Sequence, residues 1–409
     1  MRFEDIMFDM DKKGIGKKEH GPAVRELIGL LNADKGLKDL FDASIVRARK
    51  VNPDPDTNPI EDLEDYLDLI DRCVMSMPWT FHPSKRYVSL YDRIDQSMGI
   101  MYFILEQPLK QLEGKEYYHP SLINHGPVKN WFKKTVRQIG RFLDSEDSWN
   151  ERYLELAKKE EGFHLNDDLF EDPKNWHCFN DFFSRKLKDP DRRPIAAVED
   201  DHVIVSPADA TMQGLWRIDE EGRIIEKEED EQMGLAIKTG TLCDISSFLG
   251  TDIYKKIFAG GYLTHTFLDI NDYHRYHFPV SGQIIEAYKI DMAPLPGGVI
   301  TWDEKKGRYR EVFSEVFGWQ SLEERGVIIM KDRSSRHVAV CPVGMCQVAS
   351  VNFEEDVKAF AHVKKGDPMG YFLYGGSDIV MIFEKDAGLS LSHEAGTHLN
   401  TGEEYARVR

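Results

Sequence analysis

Tyr374-Gly375-Gly376-Ser377-Asp378 sets a serine hydroxyl behind two glycines and between two apolar stretches. Glycine lets a backbone fold back on itself at little steric cost, so the Ser377 hydroxyl can turn onto the carbonyl of Gly376 and take over the acyl group as an ester. Elimination of that ester from the serine Cα leaves dehydroalanine, which hydrolyses to an N-terminal pyruvoyl group. The same tripeptide is also a common hairpin turn. Two further sites could join it: Asp209, at the end of Ser206-Pro207-Ala208-Asp209, and the pair His274 and His277 within Asp272-Tyr273-His274-Arg275-Tyr276-His277. A histidine that takes a proton from serine, oriented by a carboxylate, is the general arrangement for activating a hydroxyl. Each group has a plainer reading. Asp209 can be a turn or cap residue, and the two histidines can be a structural cluster with their Tyr and Arg neighbours. They can also be two ligands of a zinc ion, although no third ligand stands at a telling spacing.

Several chemistries are excluded. A serine hydrolase elbow needs glycine two residues after the serine, where this chain has Ile379. No Gly-Lys-Ser/Thr follows the glycines, so there is no phosphate-binding loop. Asp9 to Gly14 has the outline of a calcium loop, but Lys13 and His20 occupy positions that need oxygen ligands. Five scattered cysteines, Cys73, Cys178, Cys243, Cys341 and Cys346, form neither a zinc pattern nor a disulfide framework.

The elements that must position these residues divide the chain in two. From Pro22 to about Asn150 the apolar spacing is helical, with Val24, Leu27, Ile28 and Leu31 on one face. Leu63, Tyr66, Leu67 and Ile70 make a second stripe, and Phe132, Val136, Ile139 and Leu143 a third. The Pro-rich stretch Asn52 to Pro59 separates the first two helices. After Arg193-Pro194-Ile195 come short β-rich runs: His202 to Val205, Tyr262 to Leu268, Gln283 to Ile290, Val327 to Lys331, His337 to Cys341 and Gln347 to Val351. They follow one another too closely for βαβ units, which predicts antiparallel sheets. The fold class is therefore α+β: a helical region over 1–150 and a mainly antiparallel β domain with a few helices over 151–409. A polar stretch from about Asp303 to Arg325 is expected to be a helical or mobile loop bordering the site.

Composition bounds the partners. With 41% hydrophobic residues the chain can bury a large core, and its longest apolar run, Gly99 to Leu105, is far short of the roughly 20 residues that cross a bilayer. No integral membrane segment is expected, and the charged opening lacks a signal-peptide core, which points to a cytoplasmic protein. A formal charge of -18 disfavours nucleic acid and anionic membrane surfaces.

Six blocks then occur in one order over roughly residues 175–385. They are Phe179 to Leu187 with Arg193-Pro194-Ile195; Ser206 to Asp209; Asp272 to Gly282; Glu324-Arg325-Gly326; Val338 to Val351; and Lys365 to Ser377. In these blocks the chain resembles the phosphatidylserine decarboxylase family. The resemblance implies self-cleavage between Gly376 and Ser377 into a large chain and a small chain of 33 residues that stay associated, with Ser377 becoming the pyruvoyl group. By the same resemblance His277 is the base for cleavage, Asp209 orients it, and His274 positions the substrate or returns the proton. No PLP and no metal are needed. The pyruvoyl carbonyl condenses with a substrate amine as a Schiff base and draws in the electrons left when carbon dioxide departs.

An amine beside a carboxylate is thus the minimal substrate. The helical extension, the Gly-Gly-Ser junction and the negative charge resemble a soluble branch acting on aromatic amino acids such as tryptophan, which is the first expectation. Phosphatidylserine is the alternative, with the loop Met292 to Ile300 as a candidate lipid contact. A third reading is an unprocessed, non-catalytic binding relative, because Asp378 stands where the family usually has threonine or serine. A homo-oligomer is compatible with all three.

Overall fold

The computed structural model describes residues 19–82, 84–115, 119–225, 236–237, 240–241, 244–292, 298–313, 322–346 and 350–409. The Asp9–Gly14 segment, Cys243 and most of the Met292–Ile300 loop lie outside them. The chain forms two compact units, the first comprising Met1–Glu160 and Gly298–Val312, the second Glu161–Gly297 and Phe313–Arg409. Residues 151–160 and 298–312 thus group with the helical unit.

The first unit contains α1 (Pro22–Ala33), α2 (Lys35–Val51), α3 (Leu63–Val74), α4 (Leu90–Phe103), α5 (Gly126–Leu143) and α6 (Glu151–Ala157). The three expected stripes are buried except for the half-buried Ile28 and Leu63: α1 buries Val24, Leu27 and Leu31, α3 buries Tyr66, Leu67 and Ile70, and α5 buries Phe132, Val136, Ile139 and Leu143. Helix α3 starts at a capping box in which Asp62 accepts from the Asp65 backbone while the Asp65 side chain returns the bond. Part of the polar stretch after Asp303 is a strand, Arg308–Phe313, paired with Gly298–Asp303, rather than a helix or loop. Its alternation explains this: Tyr309 is buried between exposed or half-buried neighbours, and its hydroxyl donates to the Thr57 carbonyl at 2.7 Å.

The second unit is built on one large sheet. Its long strands are β1 (Ala210–Ile218), β2 (Tyr262–Leu268), β3 (Gly282–Ile290), β4 (Glu324–Asp332), β5 (His337–Met345) and β6 (Gly376–Phe383). They lie in the order β3-β4-β5-β6-β2-β1, every neighbouring pair antiparallel. The expected α+β class with mainly antiparallel sheets is what the chain adopts. Strand β6 is central and buried on both faces. Ile379, Met381 and Phe383 pack into a core with Tyr276, Phe278 and Phe372, whereas Val380 and Ile382 pack into a second core with Ile245, Phe248 and Phe258. A strand covered on both sides reads as a near-continuous apolar run, as Ile379 to Phe383 does. Among the described residues no helix is long and apolar enough to cross a membrane.

Candidate active site

Ser377 is the second residue of β6, with Gly344 of β5 on one side and Leu268 of β2 on the other. Side chains alternate along a strand, so the seryl group shares the face of Ile379, and Asp378 turns to the opposite face. The serine is 0% exposed, and its hydroxyl has no hydrogen-bond partner among the described residues. A buried hydroxyl without a partner is unusual, since desolvation goes uncompensated, and such groups are worth a functional explanation.

His274 lies just ahead of the short strand Arg275–His277 and is also fully buried. Its Nδ1 is 2.9 Å from the Asp272 carbonyl. A carbonyl only accepts, so Nδ1 carries the proton and Nε2 is bare; that Nε2 has no partner among the described residues. The Arg185 guanidinium donates to the Asn271 and Asp272 carbonyls at 2.9 and 3.1 Å, bracing the turn from which His274 projects. Burial, reinforced by that nearby cation, pulls the His274 pKa down to about 3. The imidazole is therefore neutral throughout the physiological range.

The short helix α7 (Phe179–Phe183) connects this histidine to the reactive segment. The Phe183 ring lies 3.9 Å from that of His274 and 5.4 Å, edge-on, from Tyr374. The Tyr374 backbone N–H donates to the Asn180 side chain at 3.2 Å, three residues before Ser377.

His277 is held differently. Its Nδ1 donates to the Gly366 carbonyl at 2.9 Å, which leaves Nε2 to accept from the Tyr273 hydroxyl at 3.2 Å. Gly366 sits at φ +88°, where a Cβ would also fall 2.5 Å from Ile195, so the turn that fixes this tautomer requires glycine. Burial lowers the His277 pKa; the Gly366 carbonyl and the Asp209 charge act the other way.

Asp209 does not hydrogen-bond to His277. Its carboxylate is clamped by Arg193, whose Nε lies 3.0 and 3.1 Å from the two oxygens, and by the Thr401 backbone N–H and hydroxyl at 2.8 and 2.9 Å. The two residues are linked through the backbone, because the His277 N–H donates to the Pro207 carbonyl at 2.7 Å, and through the Asp209 field. The structure therefore joins Asp209 to Arg193 and Thr401, His277 to Tyr273, and His274 to the Arg185-braced turn. Sequence reasoning assigned no role to Arg185, Arg193, Tyr273 or Thr401. The first three lie in or beside the blocks that carry the family resemblance, which was the available signal; Thr401 had none.

Beside His277 a cavity of about 720 Å³ opens, lined among others by Tyr273, Arg275, Glu354, Lys358 and His362. Arg275 is paired with Glu354 at 2.9 Å. On the chain just past Lys358, Phe360 is 75% exposed and held at φ +70°, a conformation that a phenylalanine avoids unless its surroundings impose it. The Phe360 N–H, donating to Ile284 at 2.7 Å, fixes it there.

Comparison with known proteins gives the lineage. A family model for phosphatidylserine decarboxylase matches residues 179–407. Phosphatidylserine decarboxylase proenzyme 2 of Oryza sativa subsp. japonica is 32% identical over 272 residues, covering 65% of this chain and 38% of that protein. The phosphatidylserine decarboxylase proenzyme of Fusobacterium nucleatum is 29% identical over 273 residues, covering 66% of this chain and 80% of that protein. A proenzyme of the same name from Chlamydia trachomatis is 30% identical over 215 residues, covering 51% and 60%. The chain thus spans well under half of the rice relative but most of the bacterial one from Fusobacterium. These names run against the expectation of a soluble aromatic amino acid decarboxylase, and that reading is set aside; the features that suggested it, charge and a helical extension, are not tied to any substrate contact. The matched region runs from the helix that packs on His274, through the strand that carries Ser377, to Arg407, and over it the chain belongs to the phosphatidylserine decarboxylase family.

Proposed function

We propose that this protein cuts itself between Gly376 and Ser377 and then decarboxylates phosphatidylserine. The observation that carries this reading is the Ser377 hydroxyl, fully buried, without a hydrogen-bond partner among the described residues, and placed behind Gly375-Gly376 inside the family-matched region. The same environment suits a pyruvoyl group, because replacing the hydroxyl by a keto oxygen strands no donor. When present, that group supplies the electron sink for loss of carbon dioxide. The chain's own residues do the rest. His277, neutral and with its lone pair on Nε2, is the base for the cut, and Gly366 fixes its tautomer. Asp209, clamped by Arg193 and Thr401, supplies a fixed negative charge near it. His274 keeps a bare Nε2 that accepts a hydrogen bond, which favours holding a substrate donor over carrying a proton.

The test is direct. Denaturing electrophoresis and mass measurement should show a 33-residue small chain beginning at position 377, with a keto group trapped by hydrazine. Carbon dioxide should then be released from phosphatidylserine vesicles and not from free tryptophan. A single intact chain without a keto group would leave only the non-catalytic binding reading.

The cavity beside His277 is lined by Lys358 and Ala361, and the exposed Phe360 stands between them in the chain, which favours a substrate whose acyl chains stay in a lipid layer while the head group enters. Phe360→Asn removes the apolar ring but keeps a residue that tolerates positive φ, so the fold should hold. Turnover of phosphatidylserine in vesicles is expected to fall by roughly five- to twelvefold, in line with the ~1–1.5 kcal/mol of a partly inserted aromatic ring. Turnover of a short-chain, monomeric analogue should stay unchanged. Equal losses on both substrates would refute the contact.

A further inference from the structure

An imidazole and a carboxylate interrupt two buried strands: His265 in Tyr262–Leu268 and Asp378 in Gly376–Phe383. Both lie on strands covered by core, so each needs a partner. In the sheet register His265 stands opposite Val380, which places it on the Asp378 face and diagonal to that residue. The His265 Nε2 is 2.9 Å from Asp378 Oδ1, with the carboxylate 0% exposed and the imidazole 10% exposed. Both Asp378 oxygens lack a hydrogen-bond partner among the described residues, so this approach is an ion pair when His265 is protonated rather than an aligned hydrogen bond. Across the strand from Asp378 stands Val343, with Val380 and Cys341 on the same face, and the next strand sets the buried Arg325 opposite Val343.

Asp378 is one residue from the reacting serine. As the Ser377 oxygen adds to the Gly376 carbonyl, negative charge develops on that carbonyl oxygen within a water-poor interior. A bare carboxylate on the adjacent residue opposes that charge, and low dielectric makes the opposition strong. We propose that His265 is a positioning residue for self-cleavage. It holds the Asp378 carboxylate in an ion pair on the face of β6 away from Ser377 and, when protonated, offsets its charge, so that the cut proceeds with an acid at position 378. Because the cut falls between Gly376 and Ser377, His265 stays on the large chain and Asp378 becomes the second residue of the small one. The pair then also pins the new chain end into the sheet.

This inference rests on the self-cleavage reading, and its test separates the two. The rate of cleavage after cell-free synthesis is followed by electrophoresis for the wild-type chain, His265→Ala, His265→Gln, Asp378→Asn and the double variant His265→Ala/Asp378→Asn. It is scored at a temperature where circular dichroism shows each variant folded. His265→Ala is expected to cleave about tenfold more slowly, within the coupling range of residues in contact. His265→Gln, which keeps an N–H donor but cannot carry the charge, should recover only part of the rate, and Asp378→Asn should cleave at least as fast as the wild type. With residue 378 neutral, loss of His265 should no longer matter, so the double variant should match Asp378→Asn. That comparison decides the question even if His265→Ala alone fails to fold. An uncut wild-type chain would refute self-cleavage itself. A wild-type chain that is cut while His265→Ala keeps pace, or a double variant slower than Asp378→Asn, would overturn the inference alone.

Discussion

Ser377→Ala is expected to yield one intact 409-residue chain that releases no carbon dioxide from any substrate. The loss should be complete, since the variant lacks the only atom that can take over the Gly376 acyl group and the only side chain that can become a ketone. The structure adds a second half to this result. Removing a hydroxyl usually breaks a hydrogen bond, but Ser377 Oγ has no partner among the described residues and is fully buried. Its removal relieves an uncompensated desolvation, so stability should be unchanged or higher by up to ~1 kcal/mol. Denaturant unfolding of Ser377→Ala therefore needs a reference that is also uncut, and freshly synthesised wild-type chain at early times serves. Carbon dioxide release by the variant would refute the pyruvoyl assignment. A marked loss of stability would instead show that the hydroxyl is bonded.

The second large effect is on acid stability. His274 has a folded-state pKa near 3, set first by burial and then by the Arg185 charge, against about 6.5 when unfolded. Below pH 6.5 the unfolded chain therefore binds a proton that the native chain refuses. Stability must fall as pH falls, beginning near 6.5 and continuing until the folded pKa is reached near 3. A gap of this size amounts to something on the order of 5 kcal/mol across that window. His274→Gln removes the titrating group while keeping an amide that can reach the Asp272 carbonyl. The variant should be less stable at pH 7, because contact with Phe183 is lost, yet its stability should decline less between pH 6.5 and 4. Buried groups that shift the other way, such as Glu106 and Asp378, are common to both proteins and cancel in the comparison. Parallel stability curves for the two proteins would show that His274 is protonated in the native state.

Much of the fold was legible in local pattern. The helical stripes of Val24, Leu27 and Leu31 and of Phe132, Val136 and Ile139 are buried as their spacing requires, and Tyr262 to Leu268 is a strand with the bounds its composition suggests. Periodicity reports burial, and burial is decided within a few turns or residues. The strand Arg308–Phe313 was missed because its charged residues hide a single buried Tyr309, whose partners Thr57 and Gln96 lie more than two hundred residues away. No local window contains that information.

The site divides in the same way. Ser377 behind two glycines, and His274 and His277 three apart, are local arrangements of chain, so the sequence alone determined which atoms could react and, through the ordered blocks around them, to which family they belong. It could not choose a substrate, because net charge and a helical extension describe the molecule without touching the ligand. Tertiary structure alone decided the state of each reactive group. It put Arg193 and Thr401, rather than His277, on the Asp209 carboxylate, set both histidine tautomers through the Asp272 and Gly366 carbonyls, and brought His265 to Asp378 across a strand pair. Protonation and pairing depend on dielectric and on partners distant in the chain, and both exist only once the sheet has closed around β6.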